Sequence, residues 1–547
     1  MNVRLAGSWL RLFGVLVAAP LSGAGEPAQK PAGIQGLEGR PFTVAEIVIH
    51  LQPVFDLSKP AENNWLGRTA NFLHLSTREK VIRRALLFEK GGRVRARNIY
   101  ESERVLRALA FVKDASIHLE PLGDGQVRAH VWVRDAWTLA VDAGFEQVGG
   151  QRTMHFGIQD QNFLGFGKTV GFSVAKNHER TERQYSYRDP QFFGSRWQFN
   201  GDYQGFTDGY GRGMALDRPF FALATPWSCA FRAETRKSSL AVYDQGQALF
   251  QTPHWVNALR LSTAWSVKQE EDRAWRAGIA FTVDDHRYGP LPIPEPPLAG
   301  LPSGLPSRRQ RGPGLILSYR QDAYQSFRNI KGMDTPEDYN LTWEGSLEVG
   351  SLTRRFGSTR PGPYLVLKGA NGWSKAPDAV TLFEGTLRAR SGQAAGEDLR
   401  VDASLATYAQ WAPSRQLAVY AGAGYVHHPD PENLQYMGGT EGLRAYPNLL
   451  HPGDTHWILS AEQRFFTEHR WWGLFRLGFM VFADAGAVRR MDGSGWSPLY
   501  PDVGIGLRLG DLKSSLARVL VLSVAVPIER QRGQSGWQLG IGNSFKF

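Results

Sequence analysis

Phe475-Arg476-Leu477-Gly478-Phe479-Met480-Val481-Phe482-Ala483-Asp484 alternates with a period of two. Phe475, Leu477, Phe479, Val481 and Ala483 fall on one face. Arg476, Gly478, Met480, Phe482 and Asp484 fall on the other, because successive side chains of a strand point to opposite sides. The first face is wholly apolar and the second carries two charges. A sheet built from such strands closes into a membrane barrel with the first face toward lipid and Asp484 toward the lumen. Upstream lies Gly438-Gly439-Thr440-Glu441-Gly442-Leu443-Arg444-Ala445-Tyr446-Pro447. Its glycines mark a loop, since only Gly takes positive φ without cost. Folded back inside the barrel, this loop would bring Arg444 to Asp484 as a charge-assisted pair.

The same period runs through the chain from Trp137 onward. Val170, Phe172 and Val174 alternate with Gly171, Ser173 and Ala175. Leu417, Val419, Ala421, Ala423 and Tyr425 alternate with smaller residues. Trp457, Leu459 and Ala461 alternate with Ile458, Ser460, Glu462 and Arg464, which places charge on the inner face. Five strands follow the loop, near Trp457, Phe475, Val503, Val519 and Trp537, and up to fifteen short candidates precede it. The last strand sets Trp537, Leu539, Ile541, Phe545 and Phe547 on one face, interrupted by Asn543. The Pro-rich run 290–313 reads as a long external loop, because Pro cannot donate to a central ladder. Closing the sheet satisfies every backbone donor in lipid, which an open sheet cannot do.

Composition agrees with such a barrel. The 547 residues include 60 Gly, 17 Trp, 17 Tyr and 30 Phe, suited to hairpins and interfacial girdles. Mean hydropathy is −0.33, an average that polar lumen positions dilute. Cys229 is the one cysteine, so no intramolecular disulfide or thiolate cluster forms; it reads as a small packing residue. The net charge of +11 comes from scattered Lys and Arg, without the basic patch that a nucleic-acid partner needs.

Residues 1–24 read as a secretory signal peptide: Arg4 and Arg11, an apolar core from Leu12 to Ala19, and small Ser22 and Ala24 at the cleavage point. Residues 25–40 form a Pro/Gly-rich linker. Residues 41–135 form a small α/β unit, and 136–547 the barrel. Within the unit, Val44 to Leu51 is a strand. Ser76 and Glu79 have capping-box spacing and start a helix with Val81, Ile82, Ala85 and Leu86 on one face, stopped by Gly91-Gly92. A second helix, Arg97 to Ala110, buries Ile99, Leu106 and Leu109, and two strands close the unit. The segment Gln52 to Leu75 is an elaborated connection.

Several of these stretches resemble the BamA/TamA outer-membrane superfamily. Gly438-Gly439 with Leu443-Arg444-Ala445-Tyr446 is similar to its inward-folded loop motif, and Phe482-Ala483-Asp484-Ala485-Gly486 to the partner strand motif. Ala445 stands where the motif has glycine. The β-α-α-β-β order, with Phe88-Glu89-Lys90-Gly91 and Leu106 to Phe111, resembles a single POTRA domain. Phe163 to Gly167 and Tyr187 to Gly194 resemble early-barrel segments, and the terminal Phe547 an outer-membrane targeting signal. The resemblance implies a mainly β protein: a transmembrane antiparallel barrel of 16 strands or more, in the bacterial outer membrane, with one POTRA-like domain in the periplasm. It implies assistance in inserting or translocating polypeptides, with unfolded clients, membrane lipid and periplasmic accessory proteins as partners. A passive pore or structural surface barrel is the alternative. With room for one POTRA domain where BamA-like proteins carry several, the chain reads as an accessory or specialised relative.

No Gly-x-Ser-x-Gly elbow, His-Glu-x-x-His or P-loop occurs. The expectation is therefore no enzyme, no cofactor and no metal. His427-His428 with Asp430 lack a third well-spaced ligand and read as a solvated loop. Arg444–Asp484 has two readings: a pair that fixes the loop, or one that holds it in a working conformation during substrate passage.

Overall fold

The computed structural model describes residues 40–543, apart from 61, 149–150, 178, 245, 291–304, 306, 392–397, 492, 514–518 and 531–535. Residues 1–24, read as a signal peptide, and Phe545 and Phe547 lie outside the described residues. The N-terminal unit comprises β1 (Phe42–Gln52), α1 (Trp65–Leu73), α2 (Glu79–Ala85), β2 (Arg93–Val94), α3 (Ala96–Arg107), β3 (Val112–Gly123) and β4 (Gln126–Asp135). Its sheet runs β2-β1-β4-β3, with β1 parallel to β4 and β3 antiparallel to it. Val127, Ala129, Val131 and Val133 alternate inward from β4 and meet Ile82 of α2 and Ile99 and Leu106 of α3, all essentially fully buried. β4 is a central strand. The open edge is β3.

The Ser76–Glu79 capping box does not form. Arg78 occupies the cap position without a side-chain bond. Thr77 is instead drawn to Asp135, donating its N–H at 2.9 Å and its hydroxyl at 2.7 Å. α2 ends at Ala85, ahead of Gly91-Gly92. The connection Gln52 to Leu75 folds around α1, whose cap Asn64 accepts the Gly67 N–H at 2.8 Å.

The barrel begins with β5 (Leu139–Val148), β6 (Gln151–Asp160), β7 (Thr169–Lys176), β8 (Thr181–Asp189), β9 (Gln198–Phe206) and β10 (Gly209–Arg218). It continues through β11 (Trp227–Asp244), β12 (Gln247–Gln269), β13 (Arg273–Tyr288) and β14 (Arg308–Gln321). A separate hairpin follows, β15 (Tyr324–Arg328) and β16 (Pro336–Asn340). Then come β17 (Glu344–Leu352), β18 (Gly362–Ala376), β19 (Ala379–Arg390), β20 (Leu399–Ala412), β21 (Arg415–His427) and β22 (Gln435–Met437). β23 (His451–Trp471), β24 (Phe475–Arg490), β25 (Asp502–Asp511), β26 (Val519–Pro527) and β27 (Gln538–Asn543) complete the ring. The closed sheet holds 21 strands among the described residues, of which β22 is a three-residue addition to β23 beside the β21–β23 pairing. The 16 strands implied by resemblance are too few. Before the loop the wall holds β5 to β14, β17 to β21 and the short β22, and the five strands after it are β23 to β27.

Alternation decides which way each stave faces. In β24 Phe479 and Val481 are exposed, whereas Arg476, Met480, Phe482 and Asp484 are buried. Leu315, Ile279, Leu459 and Ile505 repeat the outward apolar face. The outside of this closed sheet is thus an apolar belt, the surface of a membrane-spanning barrel. Most of the Pro-rich run, 291–304 and 306, lies outside the described residues, and its end is strand. β14 starts at Arg308 and includes Pro313, which the sheet tolerates because pairing with β17 begins one residue later, at Gly314.

Closure is uneven. β26 and β27 pair from Leu520↔Asn543 to Ala525↔Gln538, and β5 pairs with β6 along its whole length. Between β27 and β5 the register is a single pair, Leu539↔Gln147.

Candidate functional site

Two segments fold into the lumen from opposite ends. From the long-loop end comes the loop 438–450. Gly438 has φ of 152° and Gly442 of 113°, and a Cβ on Gly438 would strike the Pro447 carbonyl, so both positions require glycine. Leu443, Ala445 and Tyr446 are fully buried. Ala445 keeps an ordinary negative φ, so the motif's missing glycine imposes no backbone strain. Its N–H donates to Asp502 at 3.2 Å, and the Tyr446 hydroxyl donates to the carbonyls of Pro501 (2.9 Å) and Glu529 (3.2 Å).

Arg444 reaches the wall as the alternation of β24 requires. Its Nε and Nη2 each donate to Asp484 at 2.8 Å, and its Nη1 donates to Glu462 at 2.7 Å. The guanidinium also lies 3.6 Å from the Phe482 ring centroid, a cation–π contact strengthened by the absence of water. Glu462 in turn accepts from Arg464 Nε at 2.8 Å and sits 3.6 Å from Arg508. The predicted pair is therefore one arm of a network. Glu462 and Arg464 were legible as inner-face charges, but nothing in the spacing marked Glu462 as a second partner of Arg444.

From the short-turn end comes the β15–β16 hairpin, which sequence reading missed. Phe327 and Ile330 pack on Val380, Tyr408 and Ala418 of the wall. Met333 joins Met437, Leu443, Tyr446, Met480 and Phe482 in one buried cluster. Loop and hairpin thus meet inside the barrel. Arg464 connects them, giving Nη1 to the Ile330 carbonyl at 2.9 Å while its Nε holds Glu462. At its base the hairpin is tied to the N-terminal unit. Arg107 of α3 donates to Asp338 at 2.9 and 3.1 Å, Lys113 donates to Thr335 at 2.8 Å, and Arg104 stacks over the Tyr324 ring. Burial pushes the Lys113 ammonium down to about 8.

Between unit and hairpin is a cavity of about 1160 Å³, lined on one side by Asp114 to Ser116 and His118 of β3. Three backbone groups of this edge are already occupied. Ile117 N–H donates to Glu103 at 2.6 Å, the Ala115 carbonyl accepts from Arg107 at 3.3 Å, and Ala115 N–H donates to Asp114 at 2.9 Å. Such side-chain cover is how proteins keep a sheet edge from pairing at random.

Burial pushes the Glu103 carboxyl up to about 7, against the Ile117 bond and the Arg107 charge that pull it down. A folded pKa raised above the unfolded one means stability is fully present below the unfolded value of 4.5 and is lost as pH rises through about 7. The loss is at most about 3 kcal/mol at 1.36 kcal/mol per unit. Hydrogen exchange at the buried Ile99 and Leu106 amides of α3, corrected for intrinsic rate, should lose protection across that window. Glu103→Gln should flatten the dependence; an equal slope in both proteins would contradict it.

Other polar clusters are closed on themselves. His254, His286 and Glu432 place donor atoms within 4.8 Å of one another. Arg308 and Tyr288 already occupy the Glu432 carboxylate, and the guanidinium supplies the positive charge an ion would bring. Asp430 is held by Arg308, Arg360 and Arg390 rather than by His427 and His428. Gln538 of the last strand is buried, while Trp537 is exposed.

No family model matches the chain. Among solved structures, BamA from Haemophilus ducreyi lacking POTRA domains 1–3 shares 14% identity and a TM-score of 0.39, over 92% of this chain and 84% of that one. CdiB from Acinetobacter baumannii shares 12% identity and a TM-score of 0.43, over 97% and 96%. CdiB from Escherichia coli shares 12% and 0.43, over 97% and 95%. Over most of its length the chain is similar to these three solved structures.

Proposed function

We propose that this chain is a bacterial outer-membrane barrel that assists insertion or translocation of polypeptides, with its N-terminal unit acting as a POTRA-like domain in the periplasm. The observation that carries this reading is the seam, where β27 and β5 share only Leu539↔Gln147 among the described residues. A ladder this short can be extended by an incoming strand, and in lipid an unsatisfied backbone group costs several kcal/mol. Strand pairing and burial in lipid then drive the process without a nucleotide or covalent chemistry. The client is an unfolded outer-membrane or secreted polypeptide, handed over by periplasmic accessory proteins. It meets the unit first along β3, where main-chain pairing gives affinity without strict sequence demand. Docking there displaces Glu103 and Arg107 from the edge, and Arg107 is the residue that also grips the hairpin.

Photocrosslinking in cells tests this reading. Probes at Ser116 and His118 on β3, and at Leu539 and Ile541 on β27, should capture unfolded polypeptides at both places. Probes on central β4 should capture none. Silence at both edges, with the barrel folded, would overturn the reading. Ion conductance without crosslinks would instead favour the passive pore, a reading that the loop and hairpin filling the lumen oppose.

A further inference from the structure

Three turns at the short-turn end share an unusual construction. Leu164, Phe193 and Trp472 have φ of 54°, 50° and 51°, and each precedes a positive-φ glycine, Gly165, Gly194 or Gly473. The left-handed region penalises bulky side chains by roughly 1–2 kcal/mol and favours Asn or Asp. All three turns nevertheless put a large apolar residue at the tip, and these side chains are 48%, 91% and 68% exposed. In water both features are costs. At a bilayer surface the exposure becomes a gain, because aromatic and apolar groups partition into the headgroup region.

α1 extends the same surface. Trp65 and Phe72, two helical turns apart, lie on one face and are 75% and 86% exposed. The opposite face is fixed: Asn71 exchanges bonds with the Phe55 backbone at 2.9 and 3.0 Å, and Ala70 packs with Val54 and Phe55 against Leu474 and Trp137. Leu474 belongs to the Trp472 turn. Lys513, between β25 and β26, donates to Glu62 at 2.7 Å and accepts the Trp137 N–H through its carbonyl. α1 is thus clamped to the turns and strand start that bracket the β27–β5 seam, and its apolar face is left exposed at that rim.

We infer that the Trp65–Phe72 face of α1, with the tips Phe193 and Trp472, is a lipid-binding surface that anchors the N-terminal unit in the bilayer interface beside the seam. This rests on the chain being a membrane-embedded barrel. The partner is the phospholipid surface itself, into which an amphipathic helix sinks its aromatic side.

Nitroxide accessibility tests the assignment in the full chain, reconstituted in phosphatidylethanolamine/phosphatidylglycerol vesicles on a Cys229→Ser background. Labels at Trp65→Cys, Phe72→Cys and Phe193→Cys should relax more with oxygen than with a water-soluble nickel chelate. A label at Leu122→Cys, exposed at the far end of β3, should do the reverse. Leu315→Cys, on the outward wall, reports whether the barrel is embedded. Oxygen preference at 315 with nickel preference at 65 and 72 would overturn the anchor alone, whether water or a protein covers that face. Nickel preference at 315 as well would overturn the barrel reading and the anchor with it.

Discussion

Replacing Arg444 by alanine is expected to destabilise the folded barrel by about 3–5 kcal/mol, the usual cost of breaking a buried ion pair from one side. The substitution removes three charge-assisted bonds at 2.7 to 2.8 Å. Glu462 keeps Arg464 and Arg508 as neighbours, so the penalty falls chiefly on Asp484, which is almost fully buried. A double variant, Arg444→Met with Asp484→Leu, should cost clearly less than the sum of the two single changes, because no orphaned charge remains. Urea unfolding of the vesicle-embedded protein measures both. A single-variant loss below about 1 kcal/mol, the size of an exposed pair, would show that the network does not fix the loop.

Excising the hairpin should have the second large effect. Tyr324 pairs with Asn340, so residues 325–339 can be replaced by Asn-Gly, a two-residue turn suited to antiparallel strands, without displacing β14 or β17. The deletion removes Phe327, Ile330 and Met333 from the lumen and leaves Arg464 without the Ile330 carbonyl. It also cuts the connection from α3 to the Arg444 network that passes through Arg107, Asp338 and Ile330. Planar-bilayer recordings should find the parent protein closed and the deletion variant conducting. Equal conductance would mean the lumen is blocked by something other than this hairpin.

What could be read from sequence was set by local geometry. Period two in β24 assigned Phe479 and Val481 outward and Asp484 inward, as observed, because alternation along one strand is a local property. The glycines at 438 and 442 marked the loop for the same reason. Partners distant in sequence were harder. Tyr324 to Arg328 and Pro336 to Asn340 carry no apolar face at period two, so periodicity marked neither a stave nor a lumen hairpin there. The edge of the α/β sheet depends on where β1 inserts, and β4 became central because β1 runs parallel beside it. Ser76 makes no cap because α2 starts only at Glu79, and the preceding Thr77 is held by Asp135, a carboxylate that only the fold brings there.

The most direct test of the seam is a removable lock. Gln147 and Leu539 face each other across it, and opposed residues of antiparallel strands are close enough for a disulfide. Gln147→Cys with Leu539→Cys, on a Cys229→Ser background, should stall assembly of client polypeptides when oxidised and restore it on reduction, with the barrel folded in both states. Undiminished client assembly by the fully oxidised protein would contradict a working seam between β27 and β5.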